Sequence, residues 1–374
     1  MRTRGEVRRE GAPAAAVTPA GRHAALLALL GGPAHVLAAA LAAIGPPGSA
    51  ALLAALSHGD DALLREACQR RRLDAVVSLL RAYGESPDAC AGAAAQALAA
   101  SVMDEDVGWK SVLQQACSAG HAAATVALLT VFRRAGRSHE ALAANSHWAL
   151  RCSIRHPDIL SLVLAEYGEP GSDAVLDVLA AGDHAAMRWA CHDNSAPAAA
   201  LLAAAYGPPG CAALRAALAG EDAYTSVLYY AFNAMVGLHP YRAADRTGCD
   251  ALLAALLAAL AEPDNASAVR ALNGWLTEPK DVFFSFGAAE RLARIPPDSL
   301  LARLAVAAPA AWALAPVAAR ALLSAPVRAS LVLPLMLALR RLPAGAAAPV
   351  AAFLRAQPWC AFSAACVPPP EMLP

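Results

Sequence analysis

Lysine is almost missing from this chain. Of its thirty basic side chains only Lys110 and Lys280 are lysines, and the others are arginines. A GC-rich coding bias toward alanine, arginine, glycine and proline accounts for this. A sharper reading is that lysine scarcity hides the protein from lysine-directed modification in a host cell. Aromatic residues make up 5% and charged residues 16% of the sequence. So few aromatic and β-branched residues beside so much alanine argue against a β protein and for helices. Thirty acidic groups balance the thirty basic ones, which leaves no electrostatic footprint for nucleic acid. The sequence lacks GxGxxG, a Walker loop, HExxH and GxSxG. It also lacks CxxC and any Cys/His quartet at zinc spacing, so no metal and no cofactor is implied.

An uninterrupted membrane-length segment is missing too. From His23 to Gly59 no Asp, Glu, Lys or Arg occurs, but Gly31-Gly32-Pro33 and Gly45-Pro46-Pro47-Gly48 cut this stretch into short pieces. Leu304 to Ala319 is uncharged but short, and it carries Pro309 and Pro316. The N-terminal arginines run into Ala and Pro, and then Arg22 and His23 precede the first apolar run. A secretory signal would place its apolar core directly after the basic residues. The expectation is therefore no membrane association, with the protein cytoplasmic or secreted into a host cell without such a signal.

What is present is apolar content of 58%, mostly alanine, over 374 residues. That excludes intrinsic disorder and allows two domains or one elongated array. The nine cysteines are odd in number and irregularly spaced. They read as reduced thiols packed as small hydrophobes.

Five segments echo one another. Leu64-Arg65-Glu66-Ala67-Cys68, Leu113-Gln114-Gln115-Ala116-Cys117, Leu150-Arg151-Cys152-Ser153-Ile154, Met187-Arg188-Trp189-Ala190-Cys191 and the diverged Leu228-Tyr229-Tyr230-Ala231-Phe232 share one pattern. A weaker copy is centred on Leu29. The equivalent positions 29, 68, 117, 154, 191 and 232 recur every 37 to 49 residues, with one insertion around Met103 to Trp109. Each unit reads as three helices. The first is short and ends at a polar break such as Arg155-His156-Pro157-Asp158. The second has apolar residues at helical period, as in Leu73, Val76, Val77 and Leu80, and stops at a glycine expected to form a left-handed cap. The third is short, as in Ser172 to Leu179, with Ser172 or Asp173 as N-cap. The next unit begins at a polar turn such as Gly182-Asp183. No unit can bury its apolar face alone, so neighbours must stack.

Val112-Leu113-Gln114-Gln115-Ala116-Cys117-Ser118-Ala119-Gly120-His121, followed by Thr125-Val126-Ala127-Leu128-Leu129, resembles the helix pair of the ankyrin repeat. The resemblance covers roughly residues 60 to 240. It departs from the family in lacking Thr-Pro before the first helix, in its longer unit, and in having a third helix where the family has a β-finger. The resemblance implies an all-α solenoid of about five to six ankyrin-like repeats with a C-terminal helical cap. It implies local hydrogen bonding for His121, a non-catalytic scaffold that binds a protein partner, and a bacterial effector acting in a host as the setting.

The expected organisation is a disordered leader over 1–21, the array over 22–242, a helical cap or domain over 243–367 and a disordered tail over 368–374. Residues 243–374 lose the repeat, and the apolar stretch Asp281 to Gly287 is expected to plug a core. The alternative function is an enzyme with its active site in 243–374 and the array as substrate selector. Cys191-His192-Asp193 places three catalytic residue types in a row, but helical neighbours point in different directions.

In the ankyrin frame, the position two before the small core residue faces a concave groove. Down the array it gives Glu66, Gln115, Cys152, Trp189 and Tyr230. Residues just past the core position add Gln69, Arg70, Arg155, His156, His192 and Asp193. The expected partner-binding set is Trp189, Tyr230, Gln115, Glu66, Arg70, Arg155, His192 and Asp193. Large amphipathic side chains of this kind make interface hot spots. The partner is a protein, and the chain itself is expected to be a monomer.

Overall fold

In the computed structural model, residues 18–59, 61–104, 108–219, 226–236, 249–262, 265–277, 291–292, 294–295 and 299–308 are described. They form seventeen helices and one two-stranded hairpin, so the protein is mostly helical. Among them no helix is long and apolar enough to cross a membrane. The chain divides into two compact units, residues 1–149 and 150–374. The expected leader, the boundary at 242/243, Asp281 to Gly287 and the tail fall wholly or mostly outside the described residues.

The first unit opens with α1 (Pro19–Leu29), α2 (Ala34–Ile44) and α3 (Ala50–Leu56). The Thr18 side chain caps α1 by accepting from Gly21 N at 3.2 Å, and Pro19 suits the first turn. The core face of α1 is His23, Leu26 and Leu30, while Leu29 is half-buried. The repeat register at the weak first copy is therefore off by one residue. Next come α4 (Ala62–Gln69), α5 (Leu73–Tyr83) and α6 (Pro87–Ala99). Where the sequence shows an insertion, β1 (Ser101–Asp104) and β2 (Gly108–Ser111) pair antiparallel, with Val102 opposite Lys110. Ser111 then caps α7 (Val112–Ser118) in a reciprocal capping box with Gln114. The helices α8 (Ala122–Arg134) and α9 (Ser138–Ser153) follow.

Within the second unit lie the end of α9, then α10 (Pro157–Tyr167), α11 (Asp173–His192), α12 (Ala196–Ala205) and α13 (Ala212–Ala219). After them come α14 (Val227–Met235), α15 (Cys249–Leu260), α16 (Ala266–Thr277) and α17 (Leu300–Ala307). Two of these helices are each two helices joined by a bend. In α9 the bend is Asn145-Ser146-His147, and in α11 it is Gly182-Asp183-His184. All six residues have φ between 54° and 60°, at a spacing of 37 residues. A run of three left-handed residues is costly outside glycine, asparagine and aspartate. Its recurrence shows that the same chain reversal is built twice from different side chains.

The equivalent core positions Cys68, Cys117, Ile154, Cys191 and Phe232 are all buried, as are Ala67, Ala116, Ala190 and Ala231 beside four of them. Small residues there let helices approach closely. The second helices α5 and α10 do not end in left-handed glycines. Gly84 has φ 70°, ψ −141° and Gly168 has φ 134°, ψ −163°, an extended geometry that also needs glycine. A positive-φ cap ends the first helices, and α8 as well, where Gly136 N bonds Arg133 O and Arg137 N bonds Phe132 O. Past α7, Gly120 N bonds Cys117 O and His121 N bonds Ala116 O; past α11, Asn194 and Ser195 repeat this pattern.

One seam recurs between neighbouring second helices. Gly48 N donates to Ala82 O at 3.0 Å, Gly171 N to Ala205 O at 2.9 Å, and Gly210 N to Ala259 O at 2.8 Å. Thus α15 packs on α12 as α5 packs on α2. The same seam thus includes α15, which lies beyond residue 243. The loop after α5, Gly84-Glu85-Ser86-Pro87, has no second glycine to donate. There Arg134 from α8 bridges instead, to Gly84 O at 3.1 Å and Glu85 Oε1 at 2.9 Å.

Candidate functional site

Of the eight expected binding residues, Glu66, Arg70 and Gln115 belong to the first unit and Arg155, Trp189, His192, Asp193 and Tyr230 to the second. Glu66 of α4 and Arg70 at its C-cap, in the first unit, pair with each other at 2.6 Å, one helical turn apart. Gln115 is buried at 8% exposure, and its amide donates to Lys110 O at 3.4 Å. It therefore cannot line an exposed groove, because β2 lies over the position that the ankyrin frame leaves open. In the second unit Arg155 and Asp193 join the ends of α9 and α11 at 2.7 Å, with Asp193 only 8% exposed and also 3.1 Å from His192 Nδ1. The Asp193 hydrogen bond and charge hold Arg155 above its usual proton affinity. This pair is a clasp between successive helix ends.

Trp189, His192 and Tyr230 do come together. They line an open cavity of about 600 Å³ with Arg151, Arg188 and Gly182. Trp189 is 40% exposed, Tyr230 is half-buried, and the Trp189 and His192 rings meet edge-on at 5.2 Å. Arg188 joins the walls. Its Nη2 donates to Gly182 O at 2.5 Å and its Nη1 to the Tyr230 hydroxyl at 3.1 Å. The guanidinium lies 4.8 Å from the centre of the Tyr230 ring. Arg151 Nη2 is 3.0 Å from the place a Cβ would occupy on Gly182, so the glycine leaves it room. Burial, followed by the charge of Arg188, lowers the proton affinity of the Arg151 guanidinium.

The two arginines were missed because the ankyrin frame directs attention to the neighbouring position. The available signal was their recurrence: Arg65, Arg151 and Arg188 occupy one register position in three units. The bend below the cavity is held by Tyr206, whose hydroxyl donates to Leu179 O at 3.2 Å and lies 2.8 Å from His184 Nδ1. Tyr83 makes the matching contact in the first unit, donating to Asp61 Oδ1 at 2.8 Å.

Cys191 is fully buried, and desolvation pushes its thiol up to about 12. It stays a protonated core residue, as does Cys68, also pushed up to about 12 by burial. The seven described cysteines form no disulfide. His121 caps α8 by accepting from Ala124 N at 3.1 Å and meets Asp74 at 2.9 Å. Among the described residues no cluster of three His, Cys, Asp or Glu side chains could hold a metal. Comparison with protein-family models, curated proteins and solved structures finds no match for this chain.

Proposed function

We propose that this protein is a non-catalytic interaction scaffold, a divergent ankyrin-like solenoid that binds a protein partner, with a bacterial effector acting on a host protein as its setting. The observation that carries this reading is the exposed Trp189 beside half-buried Tyr230, on first helices of successive units whose second helices are joined by a repeated glycine seam. An aromatic pair with cationic neighbours on a rigid helical frame has the make-up of an interface hot spot. The helix order supports the array: six triplets can be read from α1 to α16 when α9 and α11 are each divided at their bend. Capture from host lysate with the full chain and with Trp189→Ala tests the reading. A discrete partner bound by the wild type and lost in the variant, at unchanged melting temperature, supports it. A partner retained equally by both removes Trp189 from the interface.

A further inference from the structure

The repeated units supply a reference for which contacts are structural. Arg65, the counterpart of Arg151 and Arg188 in the first unit, donates through Nε to Gln96 Oε1 of its own unit at 3.1 Å. In the second unit the same register position instead delivers two guanidiniums to one open cavity. Arg188 is held as a fixed fork by Gly182 O and the Tyr230 hydroxyl, which take two of its five N–H donors. Arg151 is brought against the same bend by the missing side chain at Gly182. Among the described lining residues none is acidic. Of the two carboxylates adjacent in sequence to lining residues, Asp193 is engaged by Arg155, and Asp183 follows Gly182 in the bend. Two cations are thus concentrated beside an exposed indole and a phenol, in a cavity whose volume of about 600 Å³ suits a side chain or small ligand.

We propose that this cavity binds a phosphorylated aromatic side chain, of the phosphotyrosine type, on the protein partner. The identity of its carrier rests on the scaffold reading above. A phosphate monoester carries roughly −1.5 to −2 charges at neutral pH and so matches two guanidiniums, whereas a single carboxylate is satisfied by one. Trp189 and Tyr230 supply walls for an aryl ring, which an aliphatic phosphate would leave unused.

The test is calorimetric titration of the full chain with four probes: a short phosphotyrosine peptide, its unphosphorylated form, phenyl phosphate and inorganic phosphate. The phosphopeptide is expected to bind about tenfold or more tightly than the unphosphorylated peptide, with phenyl phosphate between it and inorganic phosphate. Arg151→Met and Arg188→Lys are each expected to weaken phosphopeptide binding by about tenfold. Arg65→Met, at the same register position in the other unit, should leave it unchanged. Thermal melting of each variant shows that the frame is intact, and Arg188→Lys keeps the charge while removing the fork. Equal binding of the two peptides, or binding indifferent to Arg151 and Arg188, overturns the proposal. If phenyl phosphate binds in an arginine-dependent way but the phosphopeptide binds no more tightly than inorganic phosphate, a protein-borne occupant is excluded. That result also overturns the proposal, while the scaffold reading stands or falls on the Trp189→Ala capture.

Discussion

Tyr230 and Trp189 sit at corresponding positions of two echoing sequence segments, yet their surroundings differ. Trp189 is exposed, and truncating an exposed ring leaves no cavity, so Trp189→Ala should change stability by about 0.5 kcal/mol or less. Tyr230 carries the Arg188 hydrogen bond and stacking contact. Tyr230→Ala should therefore cost about 1–3 kcal/mol, read as a lower urea midpoint with unchanged slope. His184 gives a pH signature. Burial holds its imidazole below the ordinary value of 6.5, so the unfolded chain binds that proton more tightly than the folded one. The stability contributed by neutral His184 is fully present above pH 6.5 and is lost as pH falls through the lower folded value. His184→Asn, which suits φ 59° at that position, should flatten the fall in melting temperature between pH 7 and 5 relative to the wild type.

At the scale of the element, the glycine seam explains why neighbouring second helices can approach so closely. A Cβ on Gly84 would lie 2.9 Å from both Cα and N of Gly48, and Gly84 also has φ 70°. Gly136 has a similar φ of 67°, but a Cβ there would meet nothing within 4 Å. The positive φ costs Gly136→Ala about 1–2 kcal/mol and Gly84→Ala, at ψ −141°, about 1–3 kcal/mol. Gly84→Ala should cost about 1–3 kcal/mol beyond that, because backbone must move. Equal destabilisation of the two variants in parallel urea titrations would show that the close approach contributes nothing. The second-helix ends were legible in the sequence as Tyr-Gly or Ile-Gly followed by proline. Their backbone geometry was not, since a glycine codon signals positive φ without choosing ψ. The hairpin at Ser101–Asp104 and Gly108–Ser111 was legible only as an insertion, because four-residue strands carry too little pattern to separate them from loop.

For the whole molecule, far-UV circular dichroism should show a strongly helical spectrum, with strand content well below the globular average of about 20–25%. Truncation after Arg242 should expose the α12 face that α15 covers. Leu252, Leu253 and Leu256 of α15 are buried in the full chain. That fragment is expected to unfold at lower urea and to bind a hydrophobic dye, whereas a fragment ending after Ala308 keeps the seam at Gly210. Equal urea midpoints for the two fragments would show that α15 does not close the apolar face of α12.

The sequence by itself determined the helical class, the positions of the polar breaks and the small core residues of each unit. These follow from composition, period and capping chemistry, all of which act within a few residues. Tertiary structure alone decided that Gln115 is covered, that Asp193 serves as a clasp, and that Arg151 and Arg188 meet beside Trp189 and Tyr230. The physical reason is range. A helical period states which face a residue occupies, but burial and charge pairing depend on which neighbour covers that face. That is set by glycines and bends tens of residues away.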